Sequence, residues 1–190
     1  MTGEDAMKTP SVSIAPEHEG TITTNESGRA VLTFVRHLDH HIERVWAGLT
    51  QPDQITKWLA YRATIELEVG GRYELWLGGS DAEAPVAGGT ITEVEPERVL
   101  QSEMNDGSVL RFELAPRGEN CTLTFTDTRP EGERGSNSVL SGWHIRMDQV
   151  GPALDGDVMD WLALNADRDE HGFIRAIADI YWHYRNQTRE

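Results

Sequence analysis

The spacing of apolar and polar positions changes period several times along the chain. From Ala30 to Leu38 it alternates. Leu32, Phe34, Arg36 and Leu38 fall on one side and Val31, Thr33 and Val35 on the other, which predicts a strand. Ile42, Val45, Trp46 and Leu49 then recur at helical spacing, with Asp39 placed to cap them. Ile55, Trp58 and Leu59 mark a second short helix after Pro52. From Arg62 the period returns to two. Ala63, Ile65, Leu67 and Val69 form one row, Gly70-Gly71 turns the chain, and Tyr73, Leu75 and Leu77 continue it. Further strands are predicted over 87–95, 98–104, 109–114 and 121–127, separated by tight turns such as Asn105-Asp106-Gly107. About seven strands joined by short connections predict an antiparallel meander, not a set of βαβ units.

The longest helical pattern follows, over residues 136–156. Val139, Trp143, Met147, Val150 and Leu154 lie on one stripe, Ser136 or Ser138 can cap the start, and Gly156 suits the end. A helix so apolar on one face, coming after a run of strands, must lie on a sheet. Residues 29–156 therefore form the domain proper. Residues 1–28 are polar and broken by Pro10, Pro16, Gly20 and Gly28, which predicts a flexible tail with room for one added edge strand. Residues 157–190 read as a C-terminal helical extension. Its stripe of Phe173, Ile177, Ile180 and Tyr184 either covers the chain's own domain or pairs with a second copy as a homodimer.

Charge narrows the choice of partners. The 190 residues carry 32 acidic and 17 basic side chains, a formal charge of −15. Such a surface repels nucleic-acid phosphates and anionic lipid, so neither is expected as a partner. Cys121 is the single cysteine and sits in a strand pattern, which predicts a buried, inert thiol and a reducing, cytoplasmic location. No apolar run approaches the ~18 residues of a membrane span. The opening MTGEDAMKTP lacks the charged-then-apolar order of a secretory signal.

Several segments together resemble one superfamily: HIERVWAGLTQPDQITKWL at 41–59, VGGRYEL at 69–75, GGTITEVEPERVL at 88–100, LRFELAPRGENCTLTFTDT at 110–128 and SGWHIRMDQVGPALDG at 141–156. They look like the SRPBCC (START-like) superfamily, and most like its branch of heat-shock ATPase activator homologues. The resemblance spans roughly 30–156. It implies an α+β helix-grip fold: a curved antiparallel sheet wrapped round the long C-terminal helix, two short helices after the first strand, and a hydrophobic cavity between helix and sheet. Members are lipid carriers, aromatic polyketide cyclases, co-chaperones and proteins without a known role, so fold alone does not fix function.

The candidate chemistry is sparse. His40 and His41 are neighbours that point apart, and no carboxylate or cysteine pattern completes a ligand set, so no metal and no cofactor are expected. His144, beside Trp143 on the long helix, is the candidate acid or base at the cavity margin, against the plainer reading of a histidine that faces solvent or is satisfied in the core. No Ser or Cys is placed to make a nucleophilic triad. Trp58, Tyr73, Leu75, Phe112, Trp143 and Met147 are the expected lining of a small-molecule site. Arg111, opposite Phe112, is expected to be solvated, and the paired glycines 70–71 and 88–89 open no helix and so make no phosphate loop. Three functions remain: a cytosolic binding protein for a small hydrophobic or aromatic molecule, a cyclase- or hydrolase-type enzyme using His144, or a co-chaperone-like interaction module.

Overall fold

The computed structural model describes residues 13–77, 85, 87–159 and 173–187, with backbone alone for 173–177 and 187. Eight strands among them form one antiparallel sheet. They are β1 (Thr21–Thr24), β2 (Ala30–Leu38), β3 (Arg62–Ile65), β4 (Arg72–Trp76), β5 (Ala87–Glu95), β6 (Val99–Met104), β7 (Val109–Arg117) and β8 (Asn120–Thr128), in the spatial order β1-β2-β8-β7-β6-β5-β4-β3. Every link between strands next to one another in sequence is local except the return from β2 to β3, which carries α1 (Ile42–Thr50) and α2 (Pro52–Ile55). The long helix α3 spans Asn137–Leu154, and α4 spans Phe173–Gln187. This is the helix-grip arrangement, with one strand more than the seven expected.

The extra strand is β1, which pairs with β2 from Thr21↔Thr33 to Thr24↔Ala30. All four of its residues are exposed. A strand with no buried face leaves no alternation to read, which is why the sequence pattern allowed an edge strand in this arm without locating it. Residues 13–28, expected from sequence to be a flexible tail with room for one added edge strand, carry a 3-10 turn (Pro16–His18) and that edge strand. Residues 1–12 of that tail, the loop 78–84, and Trp161, Leu162 and Leu164 of the extension lie outside the described residues.

Two local expectations are corrected. The row Ala63, Ile65, Leu67, Val69 ends at Ile65, and Leu67 and Val69 are exposed. The chain leaves the ladder because Glu68 N–H donates back to the Glu66 carbonyl, and Gly70 N–H crosses to Ile91 O. Gly70 takes φ +88 to make that turn, and a Cβ on Gly71 would overlap the Glu66 carbonyl. Asp39 does not cap α1. The N-cap is His41, and Asp39 instead accepts from Asn120 Nδ2 at 2.9 Å. At α3 the Ser136 side chain accepts from Val139 N–H, and Gly156 closes the end at φ +106.

The inward face of the sheet is an aromatic row. Phe34 on β2 stands opposite Phe125 on β8, and Phe125 stands opposite Phe112 on β7, with ring centroids 6.5 and 4.8 Å apart. Trp58 meets Phe112 edge-on at 6.3 Å, and Trp143 of α3 lies over Phe125 at 4.3 Å. The row joins strands, short helices and long helix into one core, at offset and edge geometries that ring quadrupoles favour.

Candidate functional site

The aromatic row divides the space between α3 and the sheet. Over the C-terminal half of α3 the space is filled: Met147, Val150, Ala153 and Leu154 are buried with Trp58, Tyr73 and Phe112. The Trp58 indole is also tied down, donating from Nε1 to the Gly48 carbonyl at 2.9 Å. Over the N-terminal half the space is open. A chamber of about 200 Å³ is walled by Leu75, Leu77, Ala87, Leu110, Val139, Gly142, Trp143 and Arg146. Val139, Gly142, Trp143 and Arg146 follow the i, i+3, i+4, i+7 spacing of a single helix stripe. Of the six expected lining residues, Leu75 and Trp143 wall this chamber. Trp58, Tyr73, Phe112 and Met147 lie in the packed core beside it.

A second chamber of about 430 Å³ adjoins the first and shares Ala87, Leu110 and Trp143 with it. Its remaining walls are mostly polar: Asn105, Asp106, Ser108, Asp127 and Arg129, with Pro85, Gly88 and Met104. Trp143 is therefore the partition between an apolar room and a polar one.

Asp127 is the unusual group here. It continues the inward row Cys121, Leu123, Phe125 of β8 and is 0% exposed. Its Oδ2 accepts from Trp143 Nε1 at 2.9 Å and from Arg129 Nη1 at 3.0 Å. Burial pushes its carboxyl above the ordinary range, against the opposing pull of the Arg129 charge and the Trp143 hydrogen bond. Arg129 also pairs with Glu133 at 2.9 Å; burial alone would lower its pKa, but the two carboxylates outweigh it. Arg146 is half-buried in the chamber wall, with Nη1 donating to the Gly142 carbonyl at 2.9 Å, and burial pushes its pKa down. None of these three was among the expected site residues. The signal for Asp127 was present, as a carboxylate in register with an apolar inward row.

His144 lies on another face of α3 and walls neither chamber. It is 0% exposed. Its Nε2 donates to the Ser13 carbonyl at 2.7 Å and lies 3.5 Å from Asp148 Oδ2, and its Nδ1 shares a hydrogen bond with the Tyr184 hydroxyl at 2.6 Å. A carbonyl can only accept, so the proton sits on Nε2. Tyr184 in turn accepts from Gly20 N–H at 2.7 Å, and burial pushes its phenol up to about 12. One turn on, Asp148 receives Ser13 N–H at 2.7 Å, His18 Nδ1 at 2.8 Å and Arg36 Nε at 3.0 Å. Thus one polar face of α3 is sealed by the N-terminal arm and α4 together. That face carries no apolar stripe, so nothing in the helical period of α3 marked it as a covered face.

Arg111 bridges Glu93 and Glu113 on the outer face of the sheet. His40 lies 3.4 Å from Asp155. Cys121 is buried, and burial raises its thiol pKa. Among the described residues no group of three His, Cys, Asp or Glu side chains could hold a metal ion, and no helix is long and apolar enough to cross a membrane. On α4, Ile180 and Tyr184 are buried and Trp182 is half-exposed, while the side chains of Phe173 and Ile177 lie outside the described residues.

Residues 39–154, more than half of the chain, match the family model of the activator of Hsp90 ATPase homolog 1-like proteins (AHSA1). The chain belongs to that family. Solved structures share the AHSA1 fold with it. CalU16 from Micromonospora echinospora is 19% identical with a TM-score of 0.64, over 90% of this chain and 98% of that one. An AHSA1-like protein from Aeromonas hydrophila is 22% identical with a TM-score of 0.58, over 66% and 92%. The Aha1 dimer from Colwellia psychrerythraea is 14% identical with a TM-score of 0.56, over 66% and 96%. At such identities the likeness is one of fold. No curated protein matches this AHSA1 chain. The family match coincides with α1 through α3, so both chambers are built mainly from the AHSA1 region.

Proposed function

We propose that this AHSA1-family chain is a cytosolic binding protein for a small hydrophobic or aromatic molecule, held in the apolar chamber under the N-terminal half of α3. The observation that carries the reading is the chamber wall. Seven of its eight residues offer carbon surface, and its volume exceeds the ~150 Å³ of an engineered protein cavity that takes up benzene. A glycine faces it from the middle of a helix. Gly142 sacrifices up to ~1 kcal/mol of helix propensity relative to alanine, which is reasonable where a side chain would occupy a ligand's place.

Binding is favoured over catalysis by the surroundings of His144. Both ring nitrogens are engaged within the fold, and neither chamber reaches the ring. A homodimer through α4 is the second part of the proposal, supported by the half-exposed Trp182 on its outer side.

The test of the ligand site is a plugged variant. A Cβ on Gly142 would meet only the flexible tip of Arg146, at 3.4 Å. Gly142→Leu therefore fills the chamber while improving helix propensity. Naphthalene, followed by tryptophan fluorescence, is expected to bind the wild type and not the plugged variant, at equal or higher thermal stability. Equal binding by both proteins would remove the chamber from the proposal.

A further inference from the structure

The apolar chamber shares Ala87, Leu110 and Trp143 with a polar chamber whose wall includes a buried acid, Asp127. A carboxylate at an inward strand position is costly unless its acceptor sites are filled. Asp127 fills them unevenly. Its Oδ2 holds Trp143 Nε1 at 2.9 Å and Arg129 Nη1 at 3.0 Å. Its Oδ1 receives, among the described residues, only Arg129 Nη1 at 3.3 Å. One carboxylate oxygen is thus used twice and the other has acceptor capacity to spare; Asp127 lines the polar chamber beside Trp143 but is 0% exposed, so a donor reaches Oδ1 only when the surrounding side chains give way.

We propose that the ligand is a small apolar ring system bearing one hydrogen-bond donor, and that the donor is received by Asp127 Oδ1 while the ring sits in the apolar chamber on the face of Trp143. The inference rests on the binding function proposed above and adds the chemistry that selects among apolar molecules. A ring alone fits the walls of Leu75, Leu110 and Val139 but leaves Oδ1 as it is. A ring with a hydroxyl gains a hydrogen bond to a buried, charged acceptor, among the stronger kinds available. A ring with only an ether oxygen brings a second acceptor against the carboxylate. Neighbouring Asp106 is no substitute for Asp127: its Oδ1 receives both the N–H and the hydroxyl of Ser108, at 2.9 and 2.6 Å, and the residue is exposed, so water already serves its other oxygen. Nor is Arg129 free to draw an anionic ligand instead, because Asp127 and Glu133 neutralise it.

Three probes of one shape separate the outcomes: naphthalene, 2-naphthol and 2-methoxynaphthalene, titrated into the full chain and followed by calorimetry. The expected result is that 2-naphthol binds at least about tenfold tighter than either of the others, the size of one charge-assisted hydrogen bond. In Asp127→Asn, where one carboxylate oxygen becomes an NH2 donor, the preference is expected to collapse. Equal affinity for the three probes in the wild type overturns this inference and leaves the apolar chamber standing. Failure of all three to bind overturns the chamber reading and this inference with it. The wild-type comparison needs no variant, so it decides the matter even if Asp127→Asn does not fold.

Discussion

The Trp143 indole donates to Asp127 Oδ2 over 2.9 Å, so the carboxylate that ends the inward row of β8 is tied to the helix that covers it. Removing either partner leaves the other buried. Asp127→Ala strips the acceptor from both Trp143 and Arg129 and is expected to cost ~1–3 kcal/mol in urea unfolding. A double-mutant cycle with Trp143→Phe is expected to show a coupling of about 1 kcal/mol. Additive losses would mean that the hydrogen bond contributes nothing to holding α3.

The arm and α4 are held at Tyr184. Its hydroxyl joins His144 at 2.6 Å to Gly20 N–H at 2.7 Å, so Tyr184→Phe leaves two buried groups unpaired, a loss of ~1–3 kcal/mol. Amide exchange in residues 13–24 is expected to quicken far more than in β7 and β8. Gly20→Ala is expected to release the same segment by another route, since its Cβ would overlap the Phe34 ring. Unchanged exchange of the arm in both variants would contradict this latch.

Two buried aspartates give opposite pH dependences. For Asp148, burial alone would raise the pKa, but the hydrogen bond from His144, the charge of Arg36 and the Ser13 N–H outweigh it, and the carboxyl is lowered. Its stabilisation is in place above the unfolded value of about 4 and is lost as pH falls through the lower folded value. Asp127 is raised, so it favours the folded state at acid pH, and that contribution disappears as pH rises from about 4 through the raised value. In urea titrations from about pH 3 to 7, the stability gap between wild type and Asp148→Asn is expected to narrow on the acid side. Asp127→Asn is expected to gain on the wild type as pH rises. Gaps that stay flat with pH would contradict both assignments.

Tyr73 is fully buried, and its hydroxyl has no hydrogen-bond partner among the described residues; burial pushes its pKa up. Tyr73→Phe deletes an unsatisfied polar atom and keeps the ring, so it is expected to leave stability unchanged or raise it by ~1 kcal/mol. A clear drop in Tm would show that the hydroxyl is satisfied.

The helix-grip order was legible because its parts have strong periods: Leu32-Phe34, Phe112-Leu114 and Leu123-Phe125 alternate, and Val139 to Leu154 keeps a helical stripe. What escaped has a physical reason in each case. β1 has no buried face to produce alternation, so an edge strand was allowed in the arm but not placed at Thr21–Thr24. Leu67 and Val69 keep the period of a strand whose hydrogen bonds have already turned away. Aromatic residues at Trp58 and Phe112 look the same in sequence whether they line a cavity or fill it, and only the packing of Trp58 on Phe112 and of Phe112 on Phe125 separates the two. His144 stands one residue from Trp143, yet that single step carries it about 100° round the helix, onto the face that the arm seals.

The most direct test is the indole N–H of Trp143, resolved by NMR from the other five tryptophans. Titration with 2-naphthol is expected to move that resonance first and most, with Trp58, walled into the packed core, nearly still. If the Trp143 signal stays in place while the ligand binds, or if Trp58 moves instead, the chamber under the N-terminal half of α3 is not where the protein holds its ligand.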